Sequence, residues 1–218
     1  LWPFATVGWP EQTPDFKKFY PATCLETGYD ILFFWVARMV MMGLEFTDEV
    51  PFDTIYMHGL VRDEKNEKMS KTKGNVVDPL DVVDEYGADA LRFSLVTGVT
   101  PGQDVPLSME RVKVNRNFCN KLWNAARFLE PKMVSSSGGV ITQEELSSMP
   151  LFERYIVSEA HACAEASAAA LEDYSIGDAG TRAYRFFYDE FADWYVEVSK
   201  TRSEEDQEAS QRALSYSF

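Results

Sequence analysis

The sequence predicts an α/β unit followed by an all-α unit. Residues 22–58 show the order strand, helix, strand, which predicts a parallel βαβ unit. Residues 97–106 contain Gly98, Pro101, Gly102 and Pro106, a composition typical of a linker. Beyond this linker the chain turns helical. With 218 residues, of which 45% are hydrophobic, the chain can fill a real core, and we expect two domains, residues 1–104 and 105–218.

The βαβ prediction comprises a strand over residues 22–26, a helix from an Asp30 N-cap to Gly43, and a second strand over residues 54–58. Residues 31–42 are apolar on nearly all sides, so we expect this helix to be buried or packed on two faces. The first 21 residues include four prolines and are predicted to be irregular.

The all-α prediction rests on caps and helical periodicity. Asp78 and Ser108 are candidate N-caps, and Gly87 is a candidate helix end. Helices are predicted over about residues 79–87, 88–96, 108–129, 151–171 and 181–200, with a Ser/Gly-rich loop at 135–139. The last helix has an aromatic stripe from Tyr184 to Tyr195. Its spacing favours core packing, and stacking on nucleic-acid bases is the alternative.

The charge of the chain is unevenly distributed. A formal net charge of −14 argues against a general nucleic-acid binder, because binding to a phosphate backbone normally needs a basic face. Between residues 111 and 132, however, six basic residues stand against the single acid Glu130. They are Arg111, Lys113, Arg116, Lys121, Arg127 and Lys132. This local stripe could serve a nucleic-acid backbone even in an acidic protein.

The three cysteines, Cys24, Cys119 and Cys163, have no CxxC spacing, and histidines are not clustered. Neither a disulfide framework nor a zinc site is indicated, and the compartment is expected to be reducing. The apolar run 31–42 is interrupted by Arg38 and is shorter than the roughly 20 residues of a membrane span. No start methionine or leader is visible, which indicates a segment of something longer.

Residues 67–75 form a short polar loop, here called the lysine loop, that ends in a Gly-Asn turn. Lys68, Lys71 and Lys73 can place ammonium groups on phosphate oxygens, while Ser70 and Thr72 add hydroxyl donors. The loop therefore suits a polyphosphate ligand. A solvated charged loop is the alternative.

Three features fall at the carboxyl edge of the predicted parallel strands, where ligands of open sheets bind. They are residues 27–30, His58-Gly59 and the lysine loop. Glycines allow close backbone approach, and Asp30 can accept hydrogen bonds from ribose hydroxyls or an ammonium group. This convergence predicts a nucleotide site. Gly28-x-Asp30 by itself is also typical of a turn and helix cap.

Residues 68–72, Lys-Met-Ser-Lys-Thr, resemble the KMSKS signature of class I aminoacyl-tRNA synthetases. Thr72 replaces the final serine and keeps the hydroxyl. Residues 58–63 and 74–79 also follow the family pattern. Residues 27–39, 116–128 and 193–197 resemble the valyl-type members in particular, with the isoleucyl type as an alternative.

The resemblance implies the second half of a class I Rossmann-type catalytic domain, followed by an incomplete antiparallel anticodon-binding bundle. It implies ATP-dependent formation of an aminoacyl adenylate and transfer of the acyl group to tRNA. It gives Lys68 and Lys71 catalytic roles on the phosphates. It places the ATP and adenylate at Gly28, Asp30, His58, Gly59, Met69, Ser70 and Lys71.

The resemblance also places Ile31 and Trp35 beside the valine side chain, although core packing is the plain interpretation of Trp35. An indole wall can exclude isoleucine but rejects the nearly isosteric threonine poorly, so a separate editing domain is expected. The tRNA-binding residues expected from the basic stripe are Arg111, Lys113, Arg116, Lys121 and Arg127.

The implied substrates and partners are L-valine, tRNA(Val) and ATP with Mg²⁺ held through its phosphates, and no protein-bound metal is expected. The HIGH signature of the family's first half is absent, so the rest of the polypeptide is an implied partner and the segment alone should be inert. We expect a monomer without a membrane partner, in the cytoplasm or an organelle stroma or matrix. A non-catalytic tRNA-binding or scaffold paralogue is the alternative function.

Overall fold

The computed structural model describes residues 1–133 and 140–218, which form two compact units. Unit 1 comprises Leu1–Met69 with Pro101–Pro106, and unit 2 comprises Ser70–Thr100 with Leu107–Phe218. The predicted Ser/Gly-rich loop at 135–139 lies outside the described residues. The domain division at residue 104 stays a prediction.

Unit 1 contains the predicted βαβ motif. Its elements are α1 (Trp2–Ala5), α2 (Pro14–Phe19), β1 (Ala22–Gly28), a 3₁₀ turn (Tyr29–Ile31), a π-helical turn (Leu32–Val36), α3 (Ala37–Thr47), β2 (Phe52–His58), β3 (Val61–Arg62) and β4 (Val105–Pro106). Strands β1 and β2 are parallel, with Ala22 opposite Phe52 and Gly28 opposite His58. The strand–helix–strand prediction is confirmed, although both strands are two residues longer than predicted.

The prediction that residues 1–21 are irregular is wrong. Pro3 and Pro14 lie in the first turns of α1 and α2, where the missing N–H has no helical partner anyway. The Thr13 hydroxyl caps α2 by accepting the Phe16 N–H at 3.0 Å. Phe4 and Phe16 each pack against Tyr20 with ring centroids 5.3 Å apart. The prolines therefore begin helices here, and the aromatics form a small core.

The helix after β1 differs from its prediction in three ways. No side chain caps its start, so Asp30 is not an N-cap but lies in the 3₁₀ turn. The helix continues past Gly43 and ends where Asp48 takes a left-handed φ of 55°. Its apolar surface is not buried, because Phe33 is 88% exposed while Val36 is 1% exposed. Within the described part of unit 1, the helix packs mainly through the side that carries Val36.

The predicted linker 97–106 ends in a strand. β4 pairs in parallel with β3, and the Val105 N–H donates to the Leu60 carbonyl at 2.9 Å. The Gly102 N–H donates to the Met57 carbonyl at 2.9 Å. Residues 101–106 are therefore part of unit 1 rather than a free connection.

Unit 2 is helical. Its elements are α4 (Pro79–Tyr86), α5 (Ala88–Val96), α6 (Met109–Leu129), a 3₁₀ turn (Glu130–Lys132), α7 (Gln143–Ser148), α8 (Leu151–Glu172), α9 (Ile176–Arg185), a π-helical segment (Phe186–Tyr195), α10 (Val196–Ser199) and α11 (Gln207–Ser217). The predicted caps are confirmed, since Asp78 accepts the Leu80 N–H at 2.9 Å and Ser108 accepts the Arg111 N–H at 3.2 Å. Gly87 ends α4 with a φ of 92°.

The core of unit 2 lies between α6, α8, the π-helical segment and α11. Phe187, Phe191 and Tyr195 are buried there, so the core interpretation of the aromatic stripe is confirmed for these residues. Glu153 is 0% exposed and accepts hydrogen bonds from the Tyr195 hydroxyl and the Arg202 guanidinium. In the described ranges, no helix is both long enough and apolar enough to cross a membrane.

Candidate functional site

The carboxyl edge of β1 and β2 brings three predicted site residues together in unit 1. Gly28 and His58 are the last residues of adjacent strands and are register partners. A Cβ atom on Gly28 would lie 2.9 Å from Asp30 Oδ1 and 3.6 Å from His58 Cε1. The glycine therefore lets the carboxylate and the imidazole approach the same stretch of backbone.

His58 has oxygen partners at both ring nitrogens. Nδ1 lies 2.8 Å from the Gly59 carbonyl oxygen, and Nε2 lies 3.2 Å from Glu26 Oε1. These contacts hold the ring at the strand edge while the side chain stays 44% exposed. Sequence reasoning missed Glu26, which lies two residues before the Gly28 end of β1, on the same side of the strand.

A glycine is required at position 59 because another segment of the backbone passes very close to it. A Cβ atom at this position would lie 1.8 Å from the Gln103 carbonyl oxygen and 2.6 Å from the Asp104 nitrogen. Sequence reasoning expected the glycine to admit a ligand. The structure shows that it admits residues 103–104, which no local sequence signal connects to residue 59.

Lys68 lies at the same edge as Asp30. A turn with Asn66 at a φ of 62° leads back to it, and the Asp63 carboxylate accepts the N–H groups of residues 65 and 67 at 3.0 and 2.7 Å. An antiparallel bridge pairs Arg62 with Lys68. The Lys68 ammonium then lies 3.9 Å from Asp30 Oδ2. A cationic group and a carboxylate thus meet at the end of the parallel strands.

Asp104 is a further polar residue at this edge that sequence reasoning missed. It accepts hydrogen bonds from the Leu60 N–H at 2.8 Å, from Arg62 Nε and from the Tyr29 hydroxyl at 3.5 Å. The Leu60 N–H and then the Arg62 guanidinium lower the pKa of the Asp104 carboxyl. The same carboxylate raises the pKa of Arg62. A lone aspartate in a Gly/Pro-rich stretch gave no signal.

The second part of the lysine loop belongs to unit 2 and folds on itself. The Ser70 N–H donates to Asn75 Oδ1 at 2.9 Å, and the Lys73 N–H donates to Ser70 Oγ at 3.2 Å. Gly74 closes the turn with a φ of 69°. Ser70 therefore builds the turn, and the Lys71 side chain is exposed. In unit 1, Met69 is partly buried.

Ile31 and Trp35 lie on successive irregular turns. Ile31 ends the 3₁₀ turn, and Trp35 lies in the π-helical turn with 42% of its surface exposed. Plain core packing of Trp35 therefore does not describe this chain. The indole remains available to line a pocket.

The predicted basic stripe does not form one face of α6. At about 3.6 residues per turn, Lys113, Arg116 and Arg127 share a side, and all three are exposed. Arg111 instead donates to the Thr97 carbonyl, and Lys121 pairs with Asp193 and lies 3.3 Å from the Tyr188 ring centroid. The concentration of basic residues in this stretch of sequence does not reveal this division.

Metal ligation is not evident in the described ranges, 1–133 and 140–218. No group of three or more His, Cys, Asp or Glu residues there is arranged to hold a metal ion. Cys24, Cys119 and Cys163 are free thiols, and burial raises the pKa of Cys119. The polar side chains described at the strand edge are Asp30, His58, Glu26 and Lys68, together with the Asp104–Arg62 pair.

Comparison with known proteins defines the class. Residues 1–108 match the family model described as tRNA synthetases class I (I, L, M and V). Residues 153–218 match the model described as the anticodon-binding domain of tRNA ligase. The chain belongs to the class I tRNA synthetases.

Within this class the chain is similar to proteins named valine--tRNA ligase. It is 47% identical to that of Dehalococcoides mccartyi over 98% of its own length and 51% identical to that of Solibacter usitatus over 92%. It is 50% identical to a chloroplastic/mitochondrial valine--tRNA ligase of Arabidopsis thaliana over 93% of its length. The chain spans only 24%, 23% and 22% of these three relatives.

Solved structures show the same fold at lower identity. A ternary complex of an Agrobacterium radiobacter LeuRS with tRNA and LeuAMS matches 95% of this chain and 25% of that one, with a TM-score of 0.74 and 21% identity. The Mycobacterium tuberculosis methionyl-tRNA synthetase in complex with methionyl-adenylate matches 97% of this chain and 42% of that one, with a TM-score of 0.71 and 24% identity. The α/β and then helical architecture is therefore that of class I synthetases.

Proposed function

We propose that this chain is the part of an enzyme that attaches L-valine to tRNA(Val), with ATP, through a valyl-adenylate. The identity of about half of its residues to valine--tRNA ligases supports valine over isoleucine. The observation that carries the proposal is the meeting of Lys68 and Asp30, 3.9 Å apart, at the carboxyl edge of two parallel strands. That edge is where nucleotides bind in open α/β sheets.

Lys68 and Lys71 would act on the phosphates. When a valine carboxylate attacks the α-phosphorus of ATP in line, negative charge grows on the phosphate oxygens. Ammonium groups that meet this charge most strongly in the transition state lower the barrier. Both lysine side chains are exposed, and hydrogen bonds of Ser70 shape the turn that follows, so the segment would act as a KMSKS-type loop.

Asp30, His58 and the two glycines would hold the nucleoside part of the adenylate. Asp30 can accept hydrogen bonds from ribose hydroxyls, and Gly28, which has no Cβ, lets Asp30 and His58 lie together at the strand edge. Lys68 would leave Asp30 when phosphate arrives. Exposed ion pairs contribute only about 0.2–1 kcal/mol, so this exchange costs little.

Ile31 and Trp35 would contact the valine side chain. A flat apolar wall discriminates against one extra methylene by about 10–200-fold, but it rejects threonine only weakly. Removal of threonine would therefore need a separate editing site in the remainder of the polypeptide.

The tRNA would lie against α6. Lys113, Arg116 and Arg127 are exposed on one side of this helix and can contact phosphates, which positions tRNA without reading its sequence. Arg111 and Lys121, expected from the sequence to join them, are engaged with Thr97 and Asp193. We therefore give these two a structural role in unit 2.

Mg²⁺ would arrive with ATP as part of the substrate, held through the phosphates. The remaining partners would be the HIGH-bearing half and the editing domain of the same polypeptide. The exposed apolar surface of residues 33–46 offers that half a place to pack. We expect a monomeric enzyme in the cytoplasm or in an organelle stroma or matrix.

Valine-dependent ATP–pyrophosphate exchange by the full-length protein tests the proposal. Each amino acid is supplied in turn, and aminoacylation of tRNA(Val) is measured in parallel. We expect exchange with valine to exceed that with isoleucine by about 100-fold. Binding of tRNA without any exchange would support the scaffold alternative, and a preference for isoleucine would support the isoleucyl type.

The isolated 218 residues serve as the companion sample. Without the HIGH-bearing half they should show only background exchange, because the groups that face the ATP phosphates from that half are missing. Exchange above background would overturn the view that the site has two parts.

A further inference from the structure

Asp104 joins the ends of three segments at the strand edge of unit 1. Its carboxylate accepts from Tyr29, the first residue after β1, from Leu60 after β2, and from Arg62 in β3. These four residues are here called the Asp104 latch. The Asp104 side chain is only 18% exposed and the Arg62 side chain 26% exposed, so the pair is partly shielded from solvent.

Two residues of the latch are direct neighbours of the Lys68–Asp30 pair, one along the chain and one across a β-bridge. Tyr29 precedes Asp30 directly in the chain. Arg62 is the antiparallel bridge partner of Lys68. Movement of Arg62 would therefore move the backbone of Lys68, while movement of Tyr29 would move that of Asp30.

The hairpin of residues 62–68 is also held by hydrogen bonds around Asp63, whose carboxylate accepts the N–H groups of residues 65 and 67. β3 and β4 are only two residues long each, and Val61 is 40% exposed while its partner Val105 is 8% exposed. Charge-assisted hydrogen bonds are roughly twice as strong as neutral ones, and they have a defined direction. The close approach of residues 103–104 to Gly59 adds a steric limit on where Asp104 can lie.

We propose that Asp104 is a positioning residue that sets where the Lys68 ammonium lies against the phosphates during adenylate formation. The inference rests on the proposed function, since it concerns the same reaction. Asp104 does not touch the reacting atoms; it acts through Arg62 and the hairpin. Its carboxyl is ionised at neutral pH, and the hydrogen bonds that lower its pKa favour the same charged form, so the latch is closed under working conditions.

The test uses valine-dependent exchange by the full-length protein carrying Asp104→Asn. This variant keeps an oxygen for the Leu60 N–H and loses the charge that holds Arg62. The control is Asp53→Asn, which makes the same change at an exposed position at the start of β2. We expect kcat per active site to fall about 100-fold in Asp104→Asn, as for an active-site group misplaced by about 1 Å, with the KM for valine unchanged. Asp53→Asn should match the wild type.

A double-mutant cycle with Lys68→Ala separates positioning from loss of fold. Lys68→Ala should lower kcat about 100-fold in the wild type. In the Asp104→Asn background it should lower kcat only about 10-fold, because the lysine is already misplaced there. Independent, multiplying losses would overturn the inference. If Asp104→Asn does not fold, Arg62→Lys replaces it, since lysine keeps the charge but lacks the guanidinium fork.

The two levels of the proposal fail differently. Absence of valine-dependent exchange in the wild-type full-length protein would defeat the proposed function. An active wild type together with an Asp104→Asn variant that behaves like Asp53→Asn would defeat only the role of Asp104. A loss of kcat explained wholly by fewer active sites would also defeat it.

Discussion

Gly59 and Gln103 approach so closely that a single added carbon on residue 59 would lie 1.8 Å from the Gln103 carbonyl oxygen. The obstacle is backbone rather than a flexible side chain, so relief requires β4 and the residues before it to move. The missing Cβ of Gly59 leaves space for this segment, and the hydrogen bond from the Leu60 N–H to Asp104 holds it at the carboxyl end of β2.

Gly59→Ala should therefore destabilise the fold of unit 1 by about 1–3 kcal/mol or more, as overpacking does. The shift of the urea midpoint in the full-length protein measures it. Gly102→Ala is the control: its φ of 75° is strained for alanine, but a Cβ there has open space. If Gly59→Ala lowers the urea midpoint no more than Gly102→Ala does, residues 103–104 can move away at little energetic cost.

Lys71→Ala should lower kcat for valine-dependent exchange by about 10²–10³-fold, because a positive group that meets the transition state is removed. The KM for valine should change little. Lys65→Ala is the matched control, since Lys65 is an exposed lysine in the preceding turn. Equal losses in the two variants would indicate a general effect of loop charge.

Because only some basic residues of α6 are exposed, we expect substitutions of exposed and of paired basic residues to affect tRNA binding differently. Lys113→Ala, Arg116→Ala and Arg127→Ala should each weaken tRNA binding and reduce the salt slope of log K by about one unit. Lys121→Ala should leave that slope unchanged, because Lys121 is paired with Asp193. Filter binding of tRNA at several salt concentrations measures both, and a slope change in Lys121→Ala would count against the assignment.

Loss of the buried Glu153–Arg202 pair should destabilise the protein much more than loss of an exposed ion pair. Arg202→Ala leaves a fully buried carboxylate without its guanidinium partner and should cost about 3–5 kcal/mol in the free energy of unfolding. Lys200→Ala breaks the exposed pair with Glu197 and should cost at most about 1 kcal/mol. Urea unfolding followed by circular dichroism compares them. Similar costs would mean that water reaches Glu153.

Tyr195 predicts a loss of stability at high pH. Burial is the main cause that raises its pKa above the ordinary value of 10.0. The folded protein therefore holds the phenolic proton more tightly than the unfolded chain does. This contribution is full below about pH 10 and is lost as the pH rises from there toward the folded pKa.

Tyr195→Phe should accordingly flatten the decline of stability as the pH rises above about 10, relative to the wild type. The urea midpoint measured across this range gives the slope. Tyr56→Phe, on β2 of the other unit, is the matched substitution. If both variants decline as steeply as the wild type, Tyr195 ionises freely in the folded state.

Local signals in the sequence predicted much of the fold. The caps at Asp78 and Ser108 and the end at Gly87 are set by bonds and backbone angles within a few residues, so they could be found by inspection. β1 and β2 follow from their local composition, and their parallel order follows from the helix that connects them. The prolines of residues 1–21 led to the wrong prediction of irregular structure, because proline is also favoured in the first turn of a helix.

The candidate site divides in the same way. Gly28, Asp30, His58 and the lysine loop were predicted because they follow strands in one stretch of chain, and the structure brings Asp30 and Lys68 together. Asp104 and Glu26 could not be predicted. Asp104 lies 44 residues from its Leu60 partner, and Glu26 lies within β1, before the strand end, and meets His58 from the neighbouring strand.

The sequence by itself determined the class of the fold, the strand edge at which the candidate site residues meet and the order of the helices, since these follow from periodicity, caps and short motifs. Only the tertiary structure decided which charges are engaged. Asp104 forms an ion pair with Arg62, and Lys121 forms one with Asp193. Only three residues of the basic stripe are exposed on one side of α6. The physical reason is that an ion pair depends on the distance between two side chains in space, and sequence spacing does not set that distance once the chain turns back on itself.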